Sequence, residues 1–99
     1  MSKIYVGQTD LTIKLNTYKD ITNAQSVKIK YKKPDGVVDE WDGIVVDAST
    51  GIIEFNAVNN EIDLAGNWQV WAKIVDENGL ISIGEPAAFI VYKELVWKQ

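Results

Sequence analysis

Five carboxylates crowd one stretch of the chain: Asp35, Asp39, Glu40, Asp42 and Asp47. Such groups do two kinds of chemistry. A pair flanking a groove can act as acid and base on a glycosidic bond. Several oxygens converging on one point can hold calcium, although the spacing here does not match an EF-hand loop. Solvated turns and strand edges account for the same residues without either role. The partners that most chemistry needs are missing, because the chain has no His, no Cys and no Arg. No Cys removes the thiolate nucleophile, the disulfide and the thiolate zinc site. No His removes the usual general base and the commonest transition-metal ligand. No Arg removes the bidentate fork for phosphate or carboxylate. The expectation is a non-enzymatic protein with no catalytic residue, metal or cofactor.

Two further sets could bind rather than react. Lys28, Lys30 and Lys32 alternate along one stretch, extended by Lys33. They could meet an anionic partner, or form a solvated strand face that discourages edge pairing. The net charge of −4 disfavours nonspecific nucleic-acid binding. Trp41, among acidic neighbours, reads as the core Trp of a sandwich domain or as a platform for a sugar ring.

These residues must be held by strands. Val and Ile together number 23 against 5 Leu. β-Branched side chains are stiff in helices and pack well on a pleated surface. Alternation agrees: Leu11, Ile13 and Leu15; Val27, Ile29 and Tyr31; Ile53 and Phe55; Trp68, Val70, Ala72 and Ile74 are each interleaved with the opposite face. Turn signals separate the runs. Lys33-Pro34-Asp35-Gly36 reads as a type I turn, Asp47 to Gly51 as a hairpin loop with a left-handed Gly, and Asp76 to Gly79 as another hairpin. Gly84-Glu85-Pro86 should interrupt the last strand. Strands are expected at 3–6, 10–16, 26–33, 37–46, 51–57, 67–75 and 80–93, the last broken near 84–86, with room for one helical turn between 58 and 66. The reading is all-β: one immunoglobulin-like sandwich of about seven antiparallel strands spanning 1–99. No apolar run is long enough for a signal peptide core or a membrane span.

Two places within that frame stand out. Asp63, Gly66 and Trp68 form a structural corner: an acidic residue, a small residue, then an aromatic that caps the core and bonds backbone through its polar edge. The second is the outer face. Trp71 is out of phase with Trp68 and Val70, so it should point outward. If Phe89 and Val91 face the core, Ile90 and Tyr92 share that outer face, with Trp97 of the apolar tail as a further member. Exposed apolar patches mark interfaces. Coverage by the tail, or a phase flip at 84–86, would remove the patch.

Asp20-Ile21-Thr22-Asn23-Ala24, Val27-Lys28-Ile29-Lys30-Tyr31, Lys33-Pro34-Asp35-Gly36, the 47–51 loop, Leu64-Ala65-Gly66-Asn67-Trp68 and the 76–79 turn together carry a resemblance. In order and spacing they resemble small immunoglobulin-like domains of phage virion proteins, including the N-terminal domain family of baseplate upper proteins. The resemblance implies a non-enzymatic tail, baseplate or capsid-decoration component, made in the bacterial cytoplasm and located in the virion. Its partners would be other virion subunits or copies of itself, with no nucleic acid and no membrane. The alternative is a carbohydrate-binding or adhesion module that stacks a host-surface glycan on exposed Trp rings.

Overall fold

The computed structural model describes residues 3–94. It is an all-β sandwich. Among the described residues nine strands run in chain order: β1 (Ile4–Tyr5), β2 (Leu11–Asn16), β3 (Ser26–Lys32), β4 (Val38–Asp42), β5 (Ile44–Asp47), β6 (Ile52–Ala57), β7 (Gly66–Val75), β8 (Ile81–Ile83) and β9 (Ala87–Tyr92). The larger sheet has the order β1-β9-β7-β3-β4, with β8 also paired to β7; the smaller is β2-β6-β5. The small β1 pairs parallel with β9, so not every pairing is antiparallel as expected.

One expected strand is split where no break was expected, and the last is broken where the sequence places its interruption. The 37–46 run changes sheets at Gly43. The Gly43 N–H still donates to the Val27 carbonyl at 2.9 Å, closing the β3–β4 ladder before the chain crosses to β6. A Cβ at Gly43 would press on the Val27 side chain at 2.9 Å. The 80–93 run breaks after Gly84, whose N–H makes a last bond to the Ala72 carbonyl at 2.9 Å. Pro86 then has no N–H to continue the ladder. The helical turn allowed between 58 and 66 does not form. Residues 58–65 cross the end of the sandwich as an irregular loop that buries Ile62.

The alternation has the direction its period demands. Ile13, Ile29, Ile53, Trp68, Val70, Ala72, Ile74 and Val91 are buried in one cluster between the sheets. Aromatic rings run across it. Trp41 stacks on Phe55 of the smaller sheet at 4.4 Å between centroids and on Tyr31 of its own sheet at 4.2 Å. Trp68 then links Tyr31 at 5.7 Å to Phe89 at 6.0 Å. Trp41 is thus a core residue and has no free face for a sugar.

Candidate functional site

The corner at the start of β7 is built by the β3–β4 turn. The Gly36 N–H donates to the Lys33 carbonyl at 2.9 Å, and Gly36 takes a φ of +90°. That tight reversal places Pro34 against Gly66, where an added Cβ would lie 2.8 Å from the Pro34 Cβ. Gly66 itself has a φ of +128°, which L side chains rarely adopt. Lys33 reaches Asp63 at 2.8 Å and lies over the Trp68 ring, 5.8 Å from its centroid. The hydrogen bond to Asp63 is the main cause that holds the Lys33 ammonium above its ordinary value. The Trp68 indole N–H donates to the Leu64 carbonyl at 2.8 Å. Asp63, Gly66 and Trp68 therefore meet in one structural knot. Lys33 belongs to it, and so does not extend the outward Lys stripe as the sequence reading had it.

Lys28, Lys30 and Lys32 do face outward, opposite Lys73, Trp71 and Gln69 of β7. Lys28 pairs with Asp42 and lies 4.0 Å from Glu40 on the neighbouring β4. Hydrogen bonding to Asp42 is the main cause that raises the Lys28 ammonium above its ordinary value. The acidic stretch is therefore spread along an edge and partly neutralised there. Among the described residues no three His, Cys, Asp or Glu side chains gather as metal ligands. Asp47 serves its turn instead: its carboxylate accepts from the Ser49 hydroxyl at 2.9 Å, which chiefly lowers its pKa.

The outer-face patch exists, with members beyond those expected. The register β7–β9 pairs Asn67 with Ile90 and Gln69 with Ala88, and β1–β9 pairs Tyr5 with Tyr92. Ile90 and Tyr92 point outward as expected, and the Tyr5 and Tyr92 rings lie 6.3 Å apart. Trp71 also faces outward, half-buried opposite Lys30, and stands along β7 between Gln69, which pairs with Ala88, and Lys73, which pairs with Ile83. Trp97 lies outside the described residues.

Sequence reasoning missed Ile81 and Ile83. Their partners are Val75 and Lys73, whose side chains alternate away from the buried Ile74. Both isoleucines therefore face outward, while Ser82 faces in and accepts from the Lys19 ammonium at 2.7 Å. Ile-Ser-Ile would ordinarily be read with Ile inward. The break at 84–86 reverses the phase: odd positions face out in β8, even positions in β9. The result is one apolar stripe, Ile81, Ile83, Ala88, Ile90, Tyr92 and Tyr5, down the outer side of the larger sheet. Its five large members are between 38% and 67% exposed.

No family model matches the chain, and no curated protein matches it in sequence. Among solved structures it is similar to CopC from Methylosinus trichosporium OB3b. The TM-score is 0.60 at 16% identity, covering 98% of this chain and 91% of that one. At that identity the likeness is one of fold. The expectation of a virion tail, baseplate or decoration component in a virion location is corrected by this result. The likeness found is to CopC and carries no link to a phage baseplate. The glycan alternative fares no better in the structure, since Trp41 is buried and Trp71 half-buried. Among the described residues no helix is long and apolar enough to cross a membrane.

Proposed function

We propose that this chain is a non-catalytic docking domain whose working surface is the outer face of the larger sheet along β8, β9 and β1. One observation carries the reading: the apolar stripe from Ile81 to Tyr5, held in register on a rigid sheet. Exposed apolar area costs roughly 25 cal/mol per Å² until it is covered. Contiguous exposed patches of this kind mark sites of association, and Tyr is enriched at their energetic centres. Lys73 beside Ile83, and the Lys3 ammonium 4.9 Å from the Tyr92 ring centroid, supply a polar rim.

A metal-holding role has no donor set to rest on among the described residues. The chain contains neither His nor Cys, and its described carboxylates do not converge.

The test is a photo-crosslinking amino acid placed at Ile83 or Ile90, with Lys14 on the smaller sheet as the control position, in the cell that makes the protein. The expected result is a discrete adduct from both stripe positions, identified by its crosslinked peptide and lost when Ile81→Glu is added. No adduct from either stripe position, or an equal one from Lys14, overturns the proposal.

A further inference from the structure

A strand at the edge of a sheet presents unpaired N–H and C=O groups, and proteins blunt such edges with charged side chains, bulges or inward-pointing charges. Three of the longer edges here are blunted. In β2 the Thr17 N–H donates to the Gly51 carbonyl, which sets the odd residues toward β6. Thr12, Lys14 and Asn16 therefore turn their backbone groups to the open edge, beside polar side chains. β5 carries a register shift between Val45 and Asp47. In β4 the Val37 carbonyl and the Gly43 N–H bond to β3, so Val38, Glu40 and Asp42 face the open edge. There the Asp39 carboxylate, in phase with the core residue Trp41, accepts from the Glu40 N–H at 2.8 Å. A strand arriving at β4 would meet an occupied donor.

The far edge of the larger sheet differs. The Val6 N–H donates to the Tyr92 carbonyl at 2.9 Å, so the even residues of β9 face β1. β1 covers only Val91 and Tyr92. Ahead of it, the Ala88 N–H and C=O have no partner among the described residues. Pro86, which has no N–H, bounds this open stretch at its other end. It runs from Ala87 to Ile90, ~13 Å at strand rise. No charged side chain stands within it, and it is apolar on both faces. Ala88 and Ile90 lie on the outer face. On the inner face Phe89 is only half-buried, although its ring continues the core stack from Trp68.

We infer that the partner of the docking face is an extended segment of another protein that adds as a strand to β9 along Ala87–Ile90, in line with β1. The inference rests on the docking-face reading above and adds the form and chemistry of the partner. Ala88 supplies main-chain hydrogen bonds. The segment's side chains alternate between the Ile90 face and the Phe89 face, so it is apolar on both. β1 is the chain's own precedent: a two-residue strand held parallel on the next stretch of the same edge.

The experiment uses the full chain in the cell that makes it, with the photo-crosslinking amino acid at Ile90. Two variants separate backbone from side chain. Ala88→Pro removes the N–H that faces the open edge and leaves the β7 ladder its bonds, whereas Ala88→Val keeps the N–H. Thermal unfolding followed by circular dichroism checks that both fold. Ala88→Pro is expected to lower the adduct yield about tenfold, the size set by one lost backbone hydrogen bond. Ala88→Val is expected to keep it, and the crosslinked peptide should be an apolar stretch without proline. Equal yields from both variants, or loss from both, overturn strand addition and leave the docking face standing. A crosslinked peptide from a second copy overturns the assignment to another protein. If Ala88→Pro does not fold, amide hydrogen exchange of the isolated adduct decides. Slower exchange across 87–91 than in the free chain supports the inference, and unchanged exchange overturns it. If neither Ile90 nor Ile83 gives an adduct, the docking face itself falls.

Discussion

At Gly51 one hydrogen atom decides whether the sandwich closes. Its φ is +82°, its N–H donates to the Asp47 carbonyl at 2.9 Å, and its carbonyl accepts from Thr17. A Cβ there would collide with the Thr17 hydroxyl and the Lys19 carbonyl, both from the segment after β2. Gly51→Ala is therefore expected to cost ~2 kcal/mol or more, measured by urea unfolding; a loss within a few tenths would show that the loop shifts freely. Lys33 offers a pH test. Its pKa is raised above 10.5, first by the hydrogen bond to Asp63. The folded chain thus holds this proton more tightly than the unfolded chain. The stabilisation is present in full below the ordinary value and is lost as pH rises through the raised folded value. Lys33→Met is expected to be less stable than wild type from neutral to mildly alkaline pH, with the gap narrowing in urea titrations above the ordinary lysine value. A constant gap would mean packing over Trp68, not charge, carries the effect. The turn at 33–36 and the left-handed Gly51 were legible locally, since Pro, Asp and Gly act on their own backbone. The partners Asp63, Thr17 and Lys19 were not, because they come from other parts of the chain.

The strands show where period-two reasoning holds and where it breaks. It holds for β2, β3, β6 and β7, whose alternating apolar positions all reach the core. In β4 the single inward aromatic does the work of a whole apolar face. Trp41 lies between Tyr31 and Phe55 with interplanar angles of 25° and 2°, so it ties an otherwise acidic edge strand to the opposite sheet. Trp41→Ala is expected to cost about 3–5 kcal/mol, a large part of the ~5–15 kcal/mol typical of a whole domain. Its measurement is a denaturant midpoint, and a change below about 1 kcal/mol would show that the edge is held by its ladder alone. Periodicity fails in β8. Three residues are too few to establish a phase, and the Gly84–Pro86 break resets it before β9. Ile90 and Tyr92 were placed correctly because β9 has six residues and a buried Val91.

Viewed whole, the molecule spreads its carboxylates. Asp39, Glu40, Asp42 and Asp47 lie along β4 and β5, where Lys28 balances two of them, and among the described residues no cluster forms a cage for a hard cation. Millimolar calcium is accordingly expected to leave the melting temperature unchanged in a thermal scan. A clear upward shift would reveal a site assembled from the Asp35–Asp47 carboxylates, since a ligand that binds only the folded state must raise it. The sequence by itself determined an all-β chain and a sandwich. It did so because β-branched residues at period two can be buried only on one face of paired strands. It also excluded thiol and imidazole chemistry by the absence of those groups. Only the tertiary structure decided the split of the 37–46 run at Gly43, the Lys33–Asp63 knot and the composition of the exposed stripe. Those depend on which distant segments become neighbours, and on a single proline break that reverses which side of the sheet an isoleucine meets.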